Sequence, residues 1–384
     1  MATQIRELTR IKKKNKNDSH KVLFLGQFPP PVHGVSLMNS YLVNSESIKG
    51  NFNIDIINLH FENSLNELGK FSIAKVLKAF GYGFDILKKN LKEKPALVYF
   101  TLVPSGFAFY RDAYYVFLLK LFNLNIVLHL HGKGVKDSIA NSSIKQRIYT
   151  RVFNNTSVIC LSEKVATDID TVYKLKPFIV PNGIAVQPYF NREVEKLGNT
   201  VLQILYLSNY TRSKGILVLI EALGILKSKG YIFNARFVGA PFDLTVELLQ
   251  DYIRRHDITA FAEIVGPRNG DEKWIEYKNA DIFVFPTYFE AFGLVTLEAM
   301  QYSLPVVSTL EGSIPDIIID NETGFLVEKQ NAQMLADKIA VLLNDKELRI
   351  AMGKKGYERF VNNYTLQHFE SNINTTFHKI ISTA

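Results

Sequence analysis

The sequence predicts two doubly wound α/β domains of similar size, each built on a parallel sheet. Short apolar, β-branched runs alternate with longer helical patterns from end to end, the order that covers both faces of a parallel sheet with helices. The alternation breaks once, at the turn signal Pro181-Asn182-Gly183 and the polar segment Asn191–Asn199, and then starts afresh. The length points the same way, because 384 residues are too many for one ordinary hydrophobic core.

In the first half the strand-like runs are Lys21–Gly26, Ile54–Ile57, Leu97–Leu102, Asn125–His131, Val158–Leu161 and Phe178–Val180. A helix is expected from Leu37, and a basic amphipathic one within Lys70–Lys94. The second half restarts at Val201–Leu207 and continues through Ala235–Val238, Ala262–Val265, Ile282–Phe285, Pro305–Ser308 and Gly324–Val327. Helical stretches such as Gly215–Ser228, Leu244–His256 and Met334–Leu343 separate them, and Thr365–Ile381 reads as one more helix with no strand after it. The expected organisation is a basic arm at 1–19, a first domain at 20–185, a linker at 186–199, a second domain at 200–362 and a helical segment at 363–384.

Composition narrows the class. Hydrophobic residues make up 47% and charged residues 21%, which is globular and not disordered. One cysteine, Cys160, forbids an internal disulfide framework and fits a reducing, cytoplasmic setting. The first twenty residues are polar and basic, unlike a secretory signal. Phe107–Phe122, the nearest approach to a spanning segment, is interrupted by Arg111, Asp112 and Lys120, so a soluble or peripheral protein is expected.

The net charge of +8 asks for a partner or a reason. Part of it lies in Lys12–Lys16. Part lies in Lys70–Lys94, where Lys75, Lys78, Lys88, Lys89 and Lys92 mix with Phe71, Ile73, Val76, Leu77, Phe80 and Leu87. That pattern fits a helix lying on an anionic membrane, and equally a surface helix with a solvated lysine face. No nucleic-acid motif accompanies the charge.

Ligands of open parallel sheets bind beyond the carboxyl ends of the strands, and unusual residues stand there four times. After the first strand come three prolines and His33-Gly34-Val35-Ser36, either a phosphate-binding helix start or a plain proline-rich turn. After the fourth come His129-Leu130-His131-Gly132-Lys133-Gly134. Strand alternation sends both histidines to one side, either toward a substrate or into a satisfied core. After Val201–Leu207 come Arg212-Ser213-Lys214-Gly215, two cations beside a helix start, which suits a diphosphate.

After Ile282–Phe285 comes the most specific segment, Pro286 to Met300. Glu290 lies in its loop and Glu298 about one turn inside the helix that follows. Glu290 can accept hydrogen bonds from sugar hydroxyls and Glu298 from ribose hydroxyls, with the amides around Phe292, Gly293, Leu294 and Val295 facing a donor.

Taken together, these segments resemble glycosyltransferase family 4, retaining enzymes with the two-domain GT-B fold. The likeness runs through Gly34, His131, Pro181-Asn182-Gly183, Lys214-Gly215, Phe237-Val238-Gly239, the Glu290 to Glu298 segment, Pro305-Val306-Val307 and Thr323 to Val327. It implies two Rossmann-like domains facing a cleft, with the last helix crossing back to the first domain. It implies that Gly34 backs the donor phosphates, His131 approaches the transferred sugar, Lys214 neutralises the leaving diphosphate, Glu290 holds the sugar and Glu298 holds the ribose. The chain departs from the pattern at Asn209, where relatives carry an arginine that Arg212 would replace, and at Ser303 and Asp316.

The expected reaction is transfer of a sugar from a nucleotide-sugar to a glycan or lipid-linked acceptor. The resemblance places it in bacterial surface polysaccharide synthesis at the inner face of the plasma membrane. No cofactor and no metal are expected, because the one close aspartate pair, Asp168 and Asp170, lies in a helical stretch and faces two ways. A nucleotide-sugar epimerase or hydrolase of the same fold and a non-catalytic donor-binding subunit are the competing readings.

Overall fold

The computed structural model describes residues 20–61, 73–188 and 201–383. The expected arm at 1–19, the start of the basic stretch at 70–72 and the linker from 189 onward lie outside the described residues. The chain divides into two units. One runs up to Pro181 and resumes at Phe369; the other is Asn182–His368. The first division thus falls a few residues before the expected domain end at 185.

The first unit holds a six-stranded sheet of β1 (Lys21–Gly26), β2 (Asn53–Asn58), β3 (Leu97–Leu102), β4 (Ile126–Leu130), β5 (Ser157–Cys160) and β6 (Phe178–Ile179). The order is β2-β1-β3-β4-β5-β6, with every pairing parallel. All residues of β3 and β4 are buried, as expected of strands covered on both faces, whereas β2 at the edge is largely open.

Helix Leu366–Ser382 completes this unit's core. The Phe377 ring lies edge-on to Phe24 at 6.0 Å, to Phe52 at 5.7 Å and to Tyr99 at 5.5 Å. Such offset aromatic contacts add to the stabilisation from burying the rings themselves.

The second unit holds β7 (Gln203–Leu207), β8 (Asn234–Val238), β9 (Ala262–Gly266), β10 (Ile282–Phe285), β11 (Val306–Thr309) and β12 (Gly324–Val327). Their order is β12-β11-β10-β7-β8-β9, again parallel throughout. The strand order reverses next to β7 and β10, so the loops after these two strands meet at the point where open sheets hold ligands.

Gly215 makes that meeting possible. Its φ is +77°, and a Cβ there would stand 1.9 Å from the Pro286 carbonyl oxygen. Where the chain enters and leaves this unit, the Ile184 amide donates to Tyr364 O at 3.0 Å and the Leu366 amide to Ile184 O at 2.7 Å.

Candidate functional site

In the first unit the polar residues gather beyond the carboxyl ends of β1, β3 and β4. Helix Gly34–Asn44 starts three residues before the expected Leu37, because His33 and Ser36 form a reciprocal cap. The Ser36 amide donates to His33 Nδ1 and the His33 amide to Ser36 Oγ at 2.9 Å. Gly34 is therefore the first helical residue, with its amide at the positive end. Asn39 of this helix donates to Gln27 O at 2.9 Å and to Thr101 Oγ1 at 3.0 Å, fixing the loop after β1 to β3. Sequence reading passed over Asn39 and Thr101 because each is unremarkable alone.

His131 stands one residue past β4, which ends at Leu130 and not at His131. Its ring lies 4.0 Å, centroid to centroid, from that of buried His129. His129 Nδ1 and Tyr99 Oη share a hydrogen bond of 2.7 Å. Both ring nitrogens of His131 are shielded from solvent and have no hydrogen-bond partner among the described residues. Burial and the nearby His33 push His131 down to about 3, and burial with His131 beside it holds His129 well below its usual range. Both rings are neutral near pH 7.

The following loop is held by Asp168, whose carboxylate accepts the amides of Gly134 at 2.7 Å, Val135 at 2.9 Å and Lys136 at 3.1 Å. Asp168 thus caps helix Val135–Ile139 from a distant part of the sequence.

In the second unit the site is charged. Arg212–Lys214 form a 3-10 turn that leads through Gly215 into helix Ile216–Ser228. Lys214 Nζ meets Glu290 Oε2 at 2.8 Å and the Phe289 carbonyl at 3.3 Å. Glu290 Oε1 accepts the amides of Ala291 at 2.9 Å and Phe292 at 3.2 Å. The Phe292 amide, expected to face a donor, is thus held by Glu290, and its side chain is buried. Gly293, with φ of +89°, caps helix Leu294–Gln301 and turns the start of that helix out of the loop. The Arg212 side chain is exposed, and its amide donates to Asp243 at 2.9 Å.

Glu298 is seated as firmly as Glu290. Lys273 donates to its Oε1 at 2.7 Å and Tyr277 Oη to its Oε2 at 2.9 Å. Burial and the adjacent Glu298 carboxylate raise the Tyr277 phenol, so it remains a donor. Lys273 also lies over the Trp274 ring at 4.1 Å.

Behind the Glu290 loop, buried Glu311 accepts Lys329 Nζ at 2.9 Å, and Ser313 N donates to Ala291 O at 2.9 Å. Lys273, Tyr277, Glu311 and Lys329 were absent from the sequence reading; a lysine and a tyrosine on one helix carry no signal until the sheet order puts Glu298 beside them. A cation fixed at a helix start and two seated carboxylates can hold a phosphate group together with sugar hydroxyls. Among the described residues, no group of three histidine, cysteine, aspartate or glutamate side chains is placed to hold a metal ion.

Residues 190–359, most of the second unit, match the family Glycosyl transferases group 1, and the chain is a glycosyltransferase of the GT-B fold. Over 345 residues it is 26% identical to an uncharacterized glycosyltransferase of Methanocaldococcus jannaschii, covering 88% of this chain and 92% of that one. It is 31% identical over 229 residues to the capsular polysaccharide biosynthesis glycosyltransferase CapM of Staphylococcus aureus, covering 56% of this chain and 60% of CapM. The fold is similar to that of Anabaena HepE solved in complex with UDP, with a TM-score of 0.72 at 17% identity, covering 94% of this chain and 100% of HepE.

Proposed function

We propose that the protein is a retaining, metal-independent glycosyltransferase that moves a hexosyl group from a nucleotide-sugar to a glycan or lipid-linked acceptor in bacterial surface polysaccharide synthesis. It would act in the cytoplasm, at the anionic inner face of the membrane. The observation that carries this reading is the Lys214–Glu290 pair at 2.8 Å, set between two helix starts in a glycosyl transferases group 1 domain. Departure of a nucleoside diphosphate places negative charge on its terminal phosphate. Lys214, Arg212 and the adjacent helix-terminal amides would stabilise that charge, the role a metal ion plays elsewhere. Glu290 would take the sugar hydroxyls and Glu298 the ribose hydroxyls, while neutral His131 would donate or accept a hydrogen bond without bringing charge to the transferred sugar. In a front-side path the departing phosphate takes the acceptor proton, so no further protein base is needed.

UDP-sugars are the first donors to try, since the neighbour HepE was solved with UDP, and the capsule-synthesis relative CapM supports the polysaccharide setting. The test is a thermal-shift and turnover screen over nucleotide sugars with excess chelator present. Turnover that persists supports the reading. Loss that only manganese or magnesium restores overturns the metal-free diphosphate site, and turnover without any acceptor favours a hydrolase or epimerase.

A further inference from the structure

Helix Ile73–Lys92 carries two apolar stripes where a covering helix needs one. The inner stripe is spent on the first unit's core: Ile86 is buried, and Ala79 and Tyr82 pack against the core cluster. The outer stripe is Ile73, Leu77, Phe80, Phe84 and Leu91, which recur at the spacing of one helix face and point away from the sheet. Leu77 is 67% exposed, Phe80 60%, Phe84 66% and Leu91 77%.

The neighbouring helix Gly106–Lys120 repeats the device with Tyr110, Tyr114 and Phe117, followed by Leu121 just past its end; Leu121 is 76% exposed. Phe80 and Tyr114 join the two stripes, their rings 5.7 Å apart and edge-on, and Gly83 has no side chain to obstruct Tyr114. Single exposed apolar residues are ordinary on a protein surface, but two adjoining stripes of them mark an interaction face.

Charge selects the partner. On the Ile73–Lys92 helix the outer stripe is flanked on one side by exposed Lys78, Lys88 and Lys92. Lys89, expected among them, is instead tied to Asp55 and the Ile56 carbonyl. An apolar, aromatic stripe with a lysine border complements the layered chemistry of an anionic bilayer surface, and a second copy of this cationic chain would repel it. The stripe begins at the carboxyl edge of the sheet. Lys78 reaches the His60 carbonyl just after β2 at 3.5 Å, and Tyr82 packs on Phe61 at 5.3 Å. Gly34 and His131 stand on that same edge of the unit.

We infer that this two-helix face seats the protein on an anionic bilayer, with Leu77, Phe80, Phe84 and Leu121 entering the interfacial layer while Lys78, Lys88 and Lys92 meet lipid phosphates. The inference deepens the membrane part of the reading above and adds to its electrostatic attraction a buried, salt-resistant component. It does not depend on the donor chemistry.

The experiment is co-sedimentation of the full chain with phosphatidylcholine vesicles, with and without phosphatidylglycerol, at low and high salt. Binding is expected to need phosphatidylglycerol, to weaken with salt, and to leave a residual bound fraction. Phe80→Ser with Phe84→Ser should remove that residual and lower partitioning about tenfold or more, from the burial each ring gives up. Lys88→Glu with Lys92→Glu should lower it roughly thirtyfold at low salt. Unchanged melting temperature and nucleotide-sugar affinity in both variants would show that the fold and the donor site are intact. Full binding by the phenylalanine variant overturns the insertion while leaving simple electrostatic attraction standing. Equal binding to neutral and anionic vesicles, none to either, or self-association that the phenylalanine changes abolish overturns the bilayer assignment altogether.

Discussion

In the first unit the two side chains at the end of β4 are neutral: two adjoining, tilted histidine rings, one held by Tyr99 and the other with both ring nitrogens unpartnered among the described residues. In the second unit the corresponding side chains are charged and already matched, Lys214 to Glu290 and Lys273 to Glu298. The two designs meet different demands. A neutral ring can be buried cheaply and changes hydrogen-bond role without moving charge, whereas a charged group in a partly buried loop needs a permanent counterpart. Matching also fixes geometry, because a carboxylate held by two donors has little freedom left.

The sharpest way to break this comparison is to remove one charge. Lys214→Ala should cost about 2.7–4 kcal/mol of barrier if its cation faces the departing phosphate, read as a fall in kcat with a smaller change in KM. Wild-type kinetics with a verified donor would mean that the pair serves only the loop.

Acid probes the neutral side next. The His131 proton affinity is depressed to about 3 in the fold, against about 6.5 in an unfolded chain, so the unfolded state binds more protons between those values. Stability is therefore complete above about pH 6.5 and declines as the pH falls toward 3, by about 2 kcal/mol at pH 5 from this one group. His131→Gln cannot take up that proton, so its melting temperature should fall less steeply over the same range. Parallel curves for the two proteins would show that this ring is not the source.

The smallest effects sharpen the matched side. Glu298→Gln should weaken nucleotide-sugar binding about tenfold, and Tyr277→Phe, which removes one hydrogen bond to that carboxylate, about fivefold. Both should leave kcat nearly unchanged. If Tyr277→Phe were the more damaging, the phenol and not Glu298 would be the group that meets the donor.

Much of the fold could be read from residue order. β1, β3, β10 and β12 begin and end where their apolar runs do, and the others differ by one or two residues at either end. The start of helix Gly34–Asn44 was harder, since histidine is not a habitual cap and its partnership with Ser36 shows only in space. Lys214, Glu290 and Glu298 were singled out by their positions after strands, and the structure brings Lys214 and Glu290 together. What local pattern does not carry is the set of groups that hold them. Lys273 and Tyr277 reach Glu298 from another helix, and Lys329 reaches Glu311 from beyond β12. The outer stripe of helix Ile73–Lys92 was likewise hidden, because composition reports that a helix is apolar and basic but not which apolar residues the core leaves uncovered.

Helix Leu366–Ser382 has a consequence for synthesis on the ribosome. The unit made first receives its last helix only after the second unit has been translated, so until then the hydrophobic wall of Phe24, Phe52 and Tyr99 lacks the ring of Phe377. Release of a chain stopped short of that helix would leave aromatic surface bare on an otherwise formed sheet, the kind of lesion that chaperones and proteases recognise. The arrangement makes finishing the amino-terminal half conditional on having made the other half, a check on completeness written into the order of translation.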